Sequence, residues 1–382
     1  MALPDDRGNL LMLSGDTVLA TGKLGVFHGV LEEMGRQFDR IDVISPKPGG
    51  PVTTRELFGN VHLHPAEGSR FGQVRHILST AHALFAERPY RIITSHDYGT
   101  FYNGRAAAKL TRETGVPYLA EIHHVPGHPR AAGARDRFEK LLCRLYAGFA
   151  VKHAAAIRVV NKVEAPAVLK SFGVPESKIR VIPSLYLDTE VFQPGDEAKT
   201  HDIVLCGRLV PNKRFDLVID ALSRLKKMGR EPRLLLVGNG PLEAELLAQA
   251  DRADVRGQVD HERFLPGLED LASAYRRSRM LICASTSEGG PRVTCEAMAC
   301  GTPVVTTPVG IMTELVHDGD NGLLFRWDAA ELAEKIEAIL DDEAFARKLG
   351  SAGREAVLPF ERLKMIQNYA DEVKRLADEA SP

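Results

Sequence analysis

Cysteine is scarce in this chain of 382 residues, and so is any long apolar run. The five cysteines, Cys143, Cys206, Cys283, Cys295 and Cys300, are odd in number. None forms a Cys-x-x-Cys pair. Four of them lie in or beside apolar runs and read as small core residues of a reducing compartment. No apolar stretch approaches the length of a membrane span. The opening Met-Ala-Leu-Pro-Asp-Asp-Arg has no basic segment followed by an apolar core, so no secretory leader is expected and the chain reads as cytoplasmic. An excess of one charge is missing too: the net charge is −2, which disfavours a dedicated nucleic-acid binder. The dinucleotide fingerprint G-x-G-x-x-G is absent, so NAD is not indicated.

What is present is an ordinary globular balance, 44% hydrophobic and 26% charged, in a chain long enough for two domains. The stretch with the most chemistry runs from Met280 to Val305. Met280 to Cys283 reads as a buried strand, Ser285 to Gly290 as a polar, glycine-rich loop, and Pro291 as the first position of a helix that Gly301 and Pro303 stop. A loop that leaves a buried strand and feeds a helix N-terminus suits an anion such as a diphosphate. Glu288 and Glu296 would repel a phosphate. As acceptors they instead suit the hydroxyl pairs of a ribose and a hexose. Anion, ribose and sugar together describe a nucleotide-sugar.

Glu288 and Glu296 are separated by seven residues, and Glu-Ala-Met-Ala-Cys-Gly-Thr-Pro-Val-Val follows from Glu296. This resembles the E-x7-E signature of the retaining, GT-B type glycosyltransferases of family 4, the glycosyl transferases group 1. The resemblance implies that Glu288 contacts the donor sugar and Glu296 the ribose. The family usually has Glu-Gly-Phe-Gly where this chain has Glu288-Gly289-Gly290-Pro291. Pro291 lacks an N–H, so one family backbone donor to the sugar is missing, and Arg292 stands beside the gap.

The first half opens with a strand at Leu10 to Leu13, a loop punctuated by Gly15, Gly22 and Gly25, a helix from about Val26 to Phe38 and a strand at Ile41 to Ile44. That order reads as the start of a Rossmann-like unit. The resembling family usually has tandem glycines here near the donor phosphates, and Thr21-Gly22-Lys23-Leu24-Gly25 offers Gly22. Two further strands, Arg91 to His96 and Tyr118 to His123, end in polar residues, which makes His96, Asp97, His123 and His124 site candidates. The resemblance selects His123 as the donor-sugar contact. The region 130–152 is basic through Arg130, Arg135, Arg137, Lys140, Arg144 and Lys152. Phe138, Leu141, Leu142, Leu145 and Phe149 give it an apolar face at helical spacing. It reads either as a helix packed on its own domain or as one that touches an anionic membrane, in which case the acceptor is lipid-linked.

In the second half, Asp202 to Arg208 reads as a strand that ends in Gly207 and Arg208, with Lys213 opening the next helix. Two cations at one strand end suit a departing diphosphate, and they match the family's Gly-Arg-Leu and Lys element. Gly238 and Gly240, in Val-Gly-Asn-Gly-Pro, resemble its Gly-x-Gly-Pro turn, and Leu265 matches the segment that lines the base. Asp318-Gly-Asp320 reads as a turn rather than a metal triad.

The expected architecture is α/β, the GT-B arrangement of two Rossmann-like domains across a cleft. The first domain spans 1–195, the second 201–360, and a last helix, 361–382, crosses back. The resemblance implies a retaining hexosyltransferase that uses a nucleoside-diphosphate-sugar, in cell-envelope glycan or glycolipid synthesis. Its catalytic group is Arg208, Lys213, Glu288 and His123. Its donor-binding group is Glu296, Gly207, Gly22, Gly238, Gly240, Leu265, Gly289, Gly290 and Arg292. No metal is required and no nucleic acid is a partner; the acceptor is a glycan or a lipid-linked sugar. Two other readings differ in what they leave in the tube. A nucleotide-sugar epimerase would epimerise donor with no acceptor present, and a non-catalytic binding subunit would bind donor without turnover.

Overall fold

The computed structural model describes residues 7–23, 25–96 and 101–380. The opening segment 1–6, Leu24 and the site candidate Asp97 lie outside the described residues.

The first sheet contains β1 (Asn9–Leu13), β2 (Arg40–Ser45), β3 (Glu56–Leu57), β4 (Val61–Pro65), β5 (Ile92–His96), β6 (Tyr118–Glu121), β7 (Ala156–Val159) and β8 (Ile179–Val181). Their spatial order is β3-β4-β2-β1-β5-β6-β7-β8, and only the short β3–β4 pair is antiparallel. The second sheet contains β9 (His201–Cys206), β10 (Leu234–Val237), β11 (Val259–Glu262), β12 (Ser278–Cys283), β13 (Val304–Thr306) and β14 (Leu323–Leu324). It is wholly parallel, in the order β11-β10-β9-β12-β13-β14.

Parallel strands joined by helices bury both faces, which is why these strands read as apolar runs rather than alternations. Leu10, Leu11 and Leu13 of β1, and Met280, Leu281 and Ile282 of β12, are all buried. Each sheet also reverses its strand order once. Loops leaving the two strands at that point part in opposite directions and open a crevice at their carboxyl ends. The reversal lies between β1 and β5 in the first sheet and between β9 and β12 in the second.

The helix Arg362–Ala380 returns to the first sheet. Ile366, Tyr369, Ala370, Val373 and Leu376 share a buried core with Leu10, Met12, Leu31 and Ile41. The outgoing and returning chain segments are hydrogen-bonded to each other where they cross, Leu187 N–H to Phe360 O at 3.0 Å and Arg362 N–H to Leu187 O at 2.8 Å.

The basic segment forms the helix Ala134–His153, but its buried face is not the expected one. Cys143, Tyr146, Ala147 and Ala150 face the core, while Leu142 and Phe149 pack at its edge. Phe138, Leu141 and Leu145 are 60%, 51% and 64% exposed. The small residues win because Tyr146 stacks on Phe101 at 4.2 Å and sits against Gly104, where any Cβ would collide with its ring. That close approach turns the bulkier leucines outward.

Candidate active site

The loops after β9 and β12 leave adjacent strands at the reversal point of the second sheet, so they meet. Gly207 adopts φ +147°, a backbone open to glycine, directly after β9. Arg208 follows, exposed toward the cleft. A turn, Pro211–Lys213, then leads into the helix Phe215–Lys227. The loop after β12 carries Ser285 to Gly290. The two loops are tied by Thr286 N–H to Asn212 O at 2.8 Å and Asn212 Nδ2 to Ser287 O at 3.3 Å.

That lacing brings Lys213 Nζ to 2.5 Å from Glu288 Oε1. The two side chains are 20% and 19% exposed, enclosed yet reachable. Burial opposes the ammonium charge of Lys213, but Glu288 outweighs it and the net shift is upward, so Lys213 stays charged. The helix Arg292–Ala299 starts next, with Pro291 as its cap rather than its first residue. Glu296 projects from its second turn and is buried. Its Oε1 accepts Arg292 Nε at 2.7 Å and its Oε2 accepts the Tyr275 hydroxyl at 3.1 Å. A carboxylate offers about four lone-pair positions, so roughly two remain for an incoming diol. Gly301, at φ +74°, ends the helix as expected.

Between the sheets lies a cleft of about 850 Å³. Gly207, Arg208, Gly238, Leu265, Arg292 and Glu296 line it, together with Phe264, which is 73% exposed. Gly240 supports this wall from behind, since a Cβ there would lie 2.5 Å from Leu209 O. Gly22 ends a turn at φ +74°, against Thr53 and Thr54. Gly25 and Gly29 are the nearby glycines that line the cleft.

The two lobes touch along the loop that holds Glu288. Ser287 Oγ donates to Val125 O at 3.1 Å, and Asn161 Nδ2 to Gly289 O at 3.3 Å. A Cβ at Gly289 would stand 2.1 Å from His123 O, so only glycine lets the lobes come this close. A Cβ at Gly290 would stand 3.3 Å from Ile311 Cγ2, a tight contact. Two carboxylates cap backbone groups across the same divide: Glu164 Oε2 accepts Gly310 N–H at 2.8 Å and Glu314 Oε2 accepts Lys162 N–H at 2.9 Å.

Burial pushes the Glu164 carboxyl up to about 7, with the Gly310 N–H opposing it, and burial also raises Glu314. A carboxyl raised by closure takes up a proton on closing. Its contribution to closure is therefore complete below the ordinary carboxylate range and is lost as pH rises through about 7. The radius of gyration in solution is expected to grow between roughly pH 4.5 and pH 7, and Glu164→Gln to flatten that dependence. A radius that ignores pH, or one that responds equally in the variant, would contradict the assignment.

His123 lies just beyond β6, partly exposed, and lines a second cavity of about 280 Å³ with Ser14, Asp16, His96, Glu121, Arg158, Tyr186 and Tyr369. Its ring lies 4.1 Å from that of His96. Burial, with help from His123, takes the His96 imidazole down to about 3. His124 is also lowered, again by burial, and Glu288 and Lys213 are among the charges that act on it. Asp318 and Asp320 form the expected turn, with Asp318 Oδ1 accepting Leu324 N–H at 2.8 Å.

Sequence reasoning missed Glu121, Arg158, Tyr186 and Tyr369. The signal was an arginine inside the apolar run Ala156 to Val160. A charge in a buried strand demands a partner, and Glu121 in the neighbouring strand is directly in register with Arg158.

Two family models match the chain: Glycosyl transferase 4-like domain over residues 26–184 and Glycosyl transferases group 1 over residues 188–356. D-inositol 3-phosphate glycosyltransferase of Kribbella flavida is 31% identical over 328 residues, 78% of this chain and 75% of that protein. Among solved structures, sucrose-phosphate synthase of Thermosynechococcus elongatus superposes with a TM-score of 0.83 at 21% identity, covering 98% of this chain and all of that one. HepE of Anabaena, solved with UDP and glucose, gives 0.77 at 21% identity, covering 96% of this chain and all of its own. At these identities the two structures speak to the fold, and the fold is GT-B.

Proposed function

The chain belongs to the glycosyl transferases group 1 and is a glycosyltransferase, and we propose that it is a retaining one that moves a hexose from a nucleoside-diphosphate-sugar to a sugar acceptor. The observation that carries this is the convergence of Arg208, Lys213, Glu288 and Glu296 on the loops and helix after β9 and β12. Arg208 and Lys213 are fixed cations for the diphosphate, whose charge grows as its bond to the sugar lengthens. Glu296 takes the ribose diol with its remaining lone pairs. Glu288, oriented by Lys213, holds the hexose, and His123 meets it from the other lobe. Gly207 and Gly238 let backbone approach the nucleotide, and Leu265 with Phe264 forms the wall at the base.

In the step itself the bond from the anomeric carbon to the phosphate oxygen breaks. The acceptor oxygen bonds to that carbon on the same face. The acceptor proton passes to the departing phosphate oxygen, so no protein nucleophile is needed. A thermal-shift screen of UDP-glucose, GDP-mannose and ADP-glucose tests the donor class, because a ligand that prefers the folded state raises the melting temperature. One of the three is expected to raise it markedly and the Glu296→Ala variant to lose that response. No shift with any of them would count against the proposal.

The acceptor is proposed to be lipid-linked. Among the described residues no helix is long and apolar enough to cross a membrane, so contact would be with its surface. The support is the exposed Phe138, Leu141 and Leu145, flanked by exposed Arg137 and Arg144 on the same helix. Apolar side chains edged with cations match an anionic bilayer. Co-sedimentation with phosphatidylglycerol-containing vesicles should exceed that with phosphatidylcholine alone, and should fall about tenfold or more when Phe138, Leu141 and Leu145 are all serine. Equal recovery with both vesicle types, or no effect of the serines, would remove the membrane from the account.

A further inference from the structure

Beside the proposed donor contact His123 lies a buried ionic cluster that the transfer chemistry does not yet use. Glu121 and His123 are two apart at the end of β6, so they emerge on one side of the strand. His123 Nε2 is 3.3 Å from Glu121 Oε2. The other carboxylate oxygen, Oε1, accepts the Tyr369 hydroxyl at 2.5 Å and Arg158 Nη1 at 3.1 Å. Arg158 is in turn held by further partners. Its Nε donates to Ile182 O at 3.0 Å, its Nη2 to Pro183 O and the Tyr186 hydroxyl at 3.1 Å each, and its guanidinium lies 3.9 Å above the Tyr369 ring. Glu121 and Arg158 are 4% and 1% exposed.

A buried pair of this kind is expensive to desolvate and adds little stability over apolar residues of the same size. Its position gives it a use. The cluster forms one wall of the cavity that His123 lines, and Tyr369 comes from the helix that returns from the second lobe. Resting on the proposed contact of His123 with donor sugar, we propose that Glu121, clamped by Arg158 and Tyr369, is a positioning residue that holds the His123 imidazole in one orientation and one tautomer.

The tautomer follows from the chemistry of the partner. Burial alone would keep Glu121 protonated, but Arg158 and the hydrogen bond from His123 outweigh it and hold the carboxyl well below the usual range. An ionised carboxylate only accepts hydrogen bonds. The nitrogen facing it, Nε2, therefore carries the proton. Burial lowers the His123 imidazole, against the pull of Glu121, so the ring is neutral and Nδ1 keeps its lone pair. A hydroxyl that reaches Nδ1 must donate to it. His123 is thereby an acceptor for a sugar hydroxyl, fixed by a chain of contacts that ends in the returning helix.

Glu121→Gln is the obvious variant, but it strands the Arg158 charge and risks misfolding. Tyr369→Phe removes one hydroxyl and keeps the ring against Arg158. The full-length protein with nitrogen-labelled histidine gives a readout free of substrate. The His123 resonances, assigned with His123→Gln, are expected to report the Nε2–H tautomer in the parent and a mixture in Tyr369→Phe. Release of nucleoside diphosphate from UDP-glucose, GDP-mannose and ADP-glucose supplies the second readout. With whichever probe turns over, Tyr369→Phe is expected to lower kcat about tenfold with little change in donor KM, and to have no further effect in a His123→Ala background. A single unchanged tautomer in Tyr369→Phe, or an equal loss with and without His123, would overturn the proposal and make the cluster a folding element only. An inert His123→Ala would instead remove the sugar contact on which it rests.

Discussion

Lys213→Ala is expected to lower turnover by a factor of about 10² or more, the usual loss when one fixed charge at a leaving group is removed. The Lys213 ammonium group is 2.5 Å from Glu288, and the loops that carry the two residues are laced by backbone and side-chain hydrogen bonds. Lys213 is therefore held ready rather than recruited, and pre-aimed charge is what makes such a contact worth more in the transition state than in the ground state. Donor KM should change less than kcat, because Arg208, the other cation proposed for the diphosphate, remains. The fold should survive: the pair joins two loops and is no part of either sheet. A Lys213→Ala protein with an unchanged melting temperature and unchanged turnover would sink the leaving-group assignment.

Glu296→Ala is expected to act on the other constant, raising donor KM by about 10- to 100-fold, as one lost hydrogen bond to a charged group of roughly 1.5–3 kcal/mol would. The carboxylate is buried at the second turn of its helix and already serves Arg292 and Tyr275. Removing it leaves both donors without their acceptor, so some loss of stability is expected as well. Glu296→Gln separates the two effects. It keeps the volume and a carbonyl for Tyr275, and should still weaken donor binding because a neutral amide accepts less strongly than a carboxylate. If KM for every nucleotide-sugar tested stays at the parent value in both variants, the ribose is held elsewhere.

Much of this was legible before the structure, and the reasons differ by element. The strand, loop and helix around Glu288 follow from local signals: an apolar run, a glycine loop, a proline cap and a glycine stop. Those signals act over a few residues, so they are visible in a linear sequence. The final helices were less so. Helix propensity alone would end a helix near Gly350, yet the helix runs Glu343–Val357, straight through Gly350 and Gly353. A Cβ at Gly350 would lie 2.1 Å from Gly301 O, so that glycine is present for close packing and not to break the helix. Tertiary contact overrides propensity there. The Glu121–Arg158–Tyr369 cluster was invisible for a related reason. Its members are brought together by strand register and by a helix that returns from far along the chain, and no local pattern encodes either. The outward leucines of the helix Ala134–His153 follow the same rule, since a stacked Tyr146 and a small Gly104 decide which face turns in.

The proposed donor site is a single cleft in which two cations would take the diphosphate while two carboxylates would take the sugars on either side of it. A crystal structure with whichever of UDP-glucose, GDP-mannose and ADP-glucose stabilises the protein most tests it directly. It should show phosphate oxygens within hydrogen-bond reach of Arg208 and Lys213, the ribose diol on Glu296 and the hexose on Glu288. A nucleotide bound away from the loops after β9 and β12, with those four side chains untouched, would contradict it.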